Sequence, residues 1–273
     1  MKTRAITGFF FIIVMLASVL CGHYPFGLFF LILSVLCLRE FYSLIKQTGL
    51  APNQVSGIIS GVLIYVVFAL ITADQYPEYH KLYFKLSFLI VLGITAIFTR
   101  ELFKKSPSPF TNIAYTLLGL VFIIIPFTFF HALAYVQQVF NFHFPLAFLL
   151  MLWANDTGAY LVGVKFGRTK LFERHSPKKT WEGFIGGALI SAGVALIISH
   201  YFTELEWQQW VIMAVLISFF GTTGDLIESM FKRSINVKDS GGILPGHGGL
   251  LDRFDGLFLA VPVVYAYLYL ISN

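Results

Sequence analysis

Nine apolar runs follow one another through the sequence, each close to the ~20 residues that a helix needs to cross a bilayer core. They lie at about 6–22, 26–45, 56–73, 83–98, 111–133, 144–166, 181–202, 209–231 and 256–272, and most of the charged residues fall in the gaps between them. Only 12% of residues are Asp, Glu, Lys or Arg, where soluble domains carry about 25%. Too few charges exist to clothe a water-soluble surface. In lipid, a backbone must satisfy its own hydrogen bonds, which leaves helices and closed barrels. A barrel would show short stretches of alternating polarity, and these long apolar runs do not alternate. The expected fold is an all-α integral membrane protein, a polytopic bundle of about nine transmembrane helices.

Two runs need comment. Met1-Lys2-Thr3-Arg4 ahead of the first run has the outline of a secretory signal, but no persuasive small-x-small cleavage site follows, so a retained helix is expected. The second run is the weakest, because Arg39 and Glu40 interrupt it. If the N-terminus is cytoplasmic and the helices alternate, all of the nineteen Lys and Arg except Lys81 and Lys85 fall on the cytoplasmic side. This predicts N-in, C-out topology. The net charge of +5 is then a topology signal; binding of nucleic acid would need a basic aqueous face that this chain lacks. Cys21 and Cys37 lie near opposite ends of the first hairpin, which argues against a disulfide.

The chemistry is concentrated in the second half. Residues 1–143 read as five membrane helices, and 144–273 as a catalytic part with cytoplasmic loops at 165–180 and 232–255. Asp156 sits inside the sixth run, where a carboxylate costs roughly 2.5–3.5 kcal/mol on insertion scales and so faces a polar cavity or a partner. A purely structural ion pair is the plainer alternative. The loop 165–180 holds six basic residues and ends in Ser176-Pro177-Lys178-Lys179-Thr180-Trp181-Glu182-Gly183. Positive-inside anchoring explains Arg174 well, but it explains Lys178 and Lys179 less well. Those two precede a helix start, where caps and the dipole favour anions. Gly183, Gly187 and Ser191 recur every four residues, a stripe for close helix packing that Gly186 shares.

Asp225 and Glu228 are three apart and share a helical face; Asp252 and Asp255 repeat that spacing across the glycine-rich loop. With Asp156 and Asp239, six carboxylates are expected at the cytoplasmic level, among many Lys and Arg. That mixture suits a polyphosphate with a divalent metal. Mg²⁺ takes one or two carboxylates, water and phosphate oxygens, basic side chains meet the remaining phosphate charge, and glycines let backbone N–H groups approach it. No Walker-type or kinase motif is present. His247 is a tempting general base. It serves equally as a phosphate or base contact or as a loop organiser, since a phosphate nucleophile is largely ionised already, its second pKa being about 6.

Ser229-x-Phe231-Lys232-Arg233, then Lys238-Asp239-x-Gly241, then Leu244-Pro245-Gly246-His247-Gly248-Gly249-Leu250-x-Asp252-Arg253-Phe254-Asp255 resembles the signature of the phosphatidate cytidylyltransferases (CDP-diacylglycerol synthases). The Ser176–Gly183 turn and the Asn155-Asp156 helix resemble that family too. The resemblance implies a Mg²⁺-dependent bacterial membrane enzyme, its active site facing the cytoplasm, that joins CTP to phosphatidic acid. Its metal-binding aspartates correspond to Asp225 and Asp252, with Asp156 and Glu228 as further candidates and a second cation as an open element of the set. Lys238 and His247 join Asp156, Asp225 and Asp252 as catalytic candidates. Lys178, Lys179, Lys232, Arg233, Lys238, Asp239, Gly248, Gly249, Arg253 and Asp255 are the expected substrate contacts. The resemblance also implies a homodimer. Two rivals remain. One is a cytidylyltransferase acting on another lipid phosphate; the other is an ion-coupled transporter, which would place its carboxylates at the midplane of repeated, broken helices.

Overall fold

The computed structural model describes residues 2–73, 78–242 and 248–272. Helices dominate in the order α1 (Lys2–Leu20), α2 (His23–Gln47), α3 (Gln54–Thr72), α4 (His80–Phe103), α5 (Pro109–Gly119), a π-helical turn (Leu120–Ile124), α6 (Ile125–Leu133) and α7 (His143–Phe166). A short hairpin of β1 (Lys170–Phe172) and β2 (Ser176–Thr180) follows, then α8 (Trp181–Tyr201), α9 (Trp207–Ser234) and α10 (Leu251–Ser272). Among the described residues, eight helical segments are long and apolar enough to span a bilayer, counting Pro109–Leu133 as one, and α1 adds the shorter apolar stretch Thr7–Leu20. Phe88, Leu92, Val121, Leu189 and Ile197 stand exposed on these helices, as a lipid-facing surface requires. The protein is an all-α polytopic membrane protein with one small sheet.

That sheet departs from expectation. The connection 165–180 was expected as loop, yet Lys170 pairs with Thr180 and Phe172 with Ser176, antiparallel. Glu182 explains the closure. Its carboxylate accepts from the backbone N–H groups of Arg168 and Thr169, while Trp181 N–H donates to Thr169 O, so the base of the hairpin is tied to the start of α8.

The chain divides into two compact units, one formed by Met1–Asn141 with Asp239–Asp252, the other by Phe142–Lys238 with Arg253–Asn273. In the first, Phe26, Phe30, Phe127 and Phe130 form a buried aromatic core. The π turn has a local cause: Pro126 brings no N–H to the ladder, and Ile125 N–H bonds instead to Leu120 O, five residues back. A polar knot closes one end of this unit. Glu101, 1% exposed, accepts from Asn112 Nδ2 at 2.6 Å and Asn53 Nδ2 at 2.8 Å, and lies 3.5 Å from Lys104 Nζ.

The second unit packs α7 against α8 through the small-residue stripe. A Cβ at Gly187 would stand 2.6 Å from Asn155 O, one at Gly183 2.8 Å from Ala159 O, and Ser191 Oγ donates to Met151 O at 3.0 Å. The stripe read from the sequence is thus a backbone-to-backbone approach. Phe144, Met151, Trp210, Met213, Ile217 and Phe258 lie buried in this unit.

Candidate active site

Four carboxylates meet in the second unit. Asp156 projects from α7, Asp225 and Glu228 from α9, and Asp255 from the second turn of α10. Asp255 lies in electrostatic reach of Asp225, Glu228, Asp156 and Lys179, and Asp156 in reach of Asp225 and Lys179. Local geometry delivers them. Asp225 and Glu228 are one turn apart on the same helical face, as the spacing implied. Gly224 brings α9 against α10 so tightly that a Cβ there would be 2.4 Å from Asp255 O. Asn155, 1% exposed, reaches Asp156 Oδ1 with its Nδ2 at 3.4 Å.

Two lysines offset part of this charge. Lys179 Nζ lies 2.5 Å from Asp225 Oδ2, both side chains being about a third exposed or less, at 27% and 34%. Lys232 Nζ lies 2.6 Å from Glu228 Oε2, an i,i+4 pair in which Glu228 is 1% exposed. Four carboxylates against two ammonium groups leave an excess of negative charge. Hard carboxylate oxygens in such an excess suit a divalent cation of the Mg²⁺ type. Among the described residues no three His, Cys, Asp or Glu side chains are gathered as a ready-made metal cage. Mg²⁺ does not need one, since it usually keeps several waters and binds one or two carboxylates plus substrate phosphates.

Asp252 is built differently. The sequence placed Asp252 and Asp255 in the loop 232–255, but α10 begins at Leu251, so both lie in its first turns. Asp252 Oδ2 accepts from the N–H groups of Ser240 and Gly249, each at 3.1 Å, which draws the two arms of the glycine loop together within the first unit. An acidic side chain at a helix N-terminus also meets the positive end of the dipole.

Other expected residues are spread more widely. Lys232 and Arg233 lie in the last turn of α9 instead of the loop, where basic side chains complement the helix dipole, and Arg233 donates to Val237 O at 3.3 Å. Lys178 is exposed on β2, and Lys238, Asp239 and Arg253 are exposed as well. Gly248 has φ of +84°, and a Cβ there would lie 3.0 Å from Asp252 Oδ2. Gly249 is buried, with its N–H taken up by Asp252. His247 lies outside the described residues.

One residue on α2 was missed. Glu40, counted in the sequence only as an interruption of the second run, is 5% exposed, and its Oε2 accepts from Leu251 N–H at 2.8 Å. The signal was available. An acidic residue inside an apolar span is costly and asks for a partner, the same criterion that singled out Asp156.

Comparison with known proteins gives one coherent result. The profile of the Cytidylyltransferase family matches residues 2–271. The chain is 36% identical over 268 residues to a phosphatidate cytidylyltransferase of Staphylococcus aureus (strain COL), covering 97% of each chain. Phosphatidate cytidylyltransferases of Staphylococcus epidermidis and Staphylococcus haemolyticus align at 34% and 32% identity, again over 97% of each chain.

Proposed function

The chain belongs to the cytidylyltransferase family, and from that membership we infer its reaction: it transfers the cytidylyl group of CTP to phosphatidic acid, forming CDP-diacylglycerol and pyrophosphate. It is an integral membrane enzyme of the nucleotidyltransferase class. The phosphate monoester of phosphatidic acid is the nucleophile. Its second pKa of about 6 leaves it largely dianionic near neutral pH, so it needs no base to attack the α-phosphorus of CTP. The bond from that phosphorus to the bridging oxygen breaks as pyrophosphate leaves in line.

The observation that carries the site assignment is the Lys179–Asp225 pair set among Asp156, Glu228 and Asp255. A phosphoryl-type transfer is catalysed mainly by positioning and charge neutralisation, and this cluster offers both signs of charge close together. Lys179 and Lys232 are assigned to phosphate oxygens, supported by Lys178, Arg233, Lys238 and Arg253. When bound, Mg²⁺ would neutralise phosphate oxygens of CTP; in the second unit Asp225 is an assigned ligand, with Asp156 next, and in the first unit Asp252 is one. Glu228, buried and paired with Lys232, is better suited to holding that lysine than to ligating metal. The topology that fits is nine spans, N-terminus and active site on the cytoplasmic side, C-terminus outside, in a homodimer. The acyl chains then never need to leave the bilayer.

Purified protein given labelled CTP and phosphatidic acid should form labelled CDP-diacylglycerol. Asp225→Asn and Asp252→Asn should each abolish turnover while membrane insertion stays intact; near-wild-type rates in either would remove that residue from the metal site. Supplying an isoprenoid lipid phosphate in parallel separates the two lipid classes by product. A preference for the isoprenoid substrate would overturn the phosphatidate assignment.

A further inference from the structure

Glu40 Oε2 takes the N–H of Leu251 across 211 residues of sequence. Its other oxygen, Oε1, stands against both arms of the glycine loop. A Cβ at Gly241 would lie 2.0 Å from Oε1, and one at Gly249 would lie 2.4 Å from it and 1.9 Å from Ser240 Oγ. Glycine at these two positions therefore makes room for the Glu40 carboxylate. The same short stretches hold Asp252, whose Oδ2 accepts from Ser240 N–H and Gly249 N–H. Leu251, the residue Glu40 grips, directly precedes Asp252 in the first turn of α10. Two carboxylates thus hold the same short stretches of backbone, one carried by α2 and one by α10.

A buried carboxylate in an apolar helix is expensive, and simple helix packing would not call for one. Backbone N–H groups at a helix start do call for an acceptor, and the length of glutamate is what carries the acceptor to Leu251. We propose that Glu40 is a positioning residue for the transfer reaction: it fixes the closure between Ser240–Gly241 and Gly249–Leu251 so that the Asp252 carboxylate is held in the orientation that ligates the divalent cation. The inference rests on the assignment of Asp252 as a metal ligand.

The test uses full-length protein in detergent carrying Glu40→Ala, Glu40→Asp or Glu40→Gln. Three quantities are measured: the Mg²⁺ concentration for half-maximal turnover, the KM for phosphatidic acid, and Mn²⁺ binding by electron paramagnetic resonance without CTP. Partners that orient a metal ligand typically change metal affinity by about 10–100-fold when removed. Glu40→Ala should weaken both cation readouts within that range and leave the KM for phosphatidic acid unchanged. Glu40→Gln keeps an acceptor at the full length and should restore most of the cation affinity. Glu40→Asp keeps the charge but withdraws the acceptor by one methylene, and should stay impaired; it decides the matter if the alanine protein does not fold. Wild-type cation dependence in Glu40→Asp, or a glutamine protein as impaired as the alanine one, would overturn the proposal. Asp252→Asn, run alongside, separates the two levels. If it abolishes turnover while the Glu40 proteins bind cation normally, positioning by Glu40 is wrong and the site stands. If Asp252→Asn retains cation dependence, the site assignment itself fails and takes the inference with it.

Discussion

Gly224→Ala is the most exacting probe of how the carboxylate cluster is assembled. The added Cβ would stand 2.4 Å from the backbone oxygen of Asp255 and 3.5 Å from Gly256 Cα. Ordinary contact begins near 3.4 Å, so the helices must part by about 1 Å at this point. What blocks the methyl is the backbone of α10, which cannot swing aside like a side-chain tip. Overpacking of this kind costs about 1–3 kcal/mol, while alanine regains about 0.8–1.0 kcal/mol in helix propensity over glycine. The net loss of stability is therefore modest, about 0–2 kcal/mol. Turnover should suffer far more. Residue 224 adjoins Asp225 and lies one turn from Glu228, and the displaced carbonyl belongs to Asp255, so the shift separates the carboxylates themselves. A misplacement of about 1 Å can cost about 10²-fold in rate. Gly193→Ala is the control, because a Cβ there meets nothing within 4 Å; it should be neutral or gain up to about 1 kcal/mol with normal turnover. Melting in detergent and formation of CDP-lipid measure the two effects. A Gly224→Ala protein with wild-type turnover would refute the tight α9–α10 approach as the device that sets the cluster.

Two further outcomes follow from single pairs. Lys179→Met removes the ammonium 2.5 Å from Asp225; Mn²⁺ binding without CTP should tighten as the carboxylate loses its internal partner, while turnover falls about 10²-fold through loss of a charge-stabilising donor. Unchanged turnover would leave Lys179 with the anchoring role alone. Glu101→Ala removes one acceptor from each of the buried amides of Asn112 and Asn53, which keep only Ser106 Oγ and Ile97 O, at about 1–3 kcal/mol for each N–H left unsatisfied. Melting temperature should fall clearly, whereas the folded fraction should keep its kinetic constants.

The apolar runs made the helices legible because length and hydropathy alone decide them in lipid. The Gly183, Gly187 and Ser191 stripe was equally readable, since a four-residue repeat of small side chains has few uses other than close packing. Asp225 and Glu228 were legible as a pair because helical spacing fixes which side chains share a face. The contacts that escaped were those between segments distant in sequence. Nothing local ties Glu40 to Leu251, and nothing local joins Glu101 to Asn53 and Asn112. The hairpin at 170–180 was hidden for a related reason. Its closure depends on Glu182, which lies beyond the strands and inside the first turn of the next helix.

The glycines of the loop show how an appropriate residue type can carry a different physical meaning from the expected one. Their abundance suggested backbone N–H groups laid open to a polyphosphate. Yet Gly249 N–H is bonded to Asp252, and Gly241 and Gly249 are both narrow because the Glu40 carboxylate fills the space beside them. The N–H groups of Ser240 and Gly249, taken by Asp252, contribute less positive potential to a phosphate than an open anion nest would. In the proposed function the burden of phosphate charge then falls on side chains, on Lys179 and Lys232 first, each within 2.6 Å of a carboxylate that sets its position. Acidic residues in this protein thus hold the chain and the lysines in place: Glu40 and Asp252 take backbone N–H groups, while Asp225 and Glu228 pair with Lys179 and Lys232.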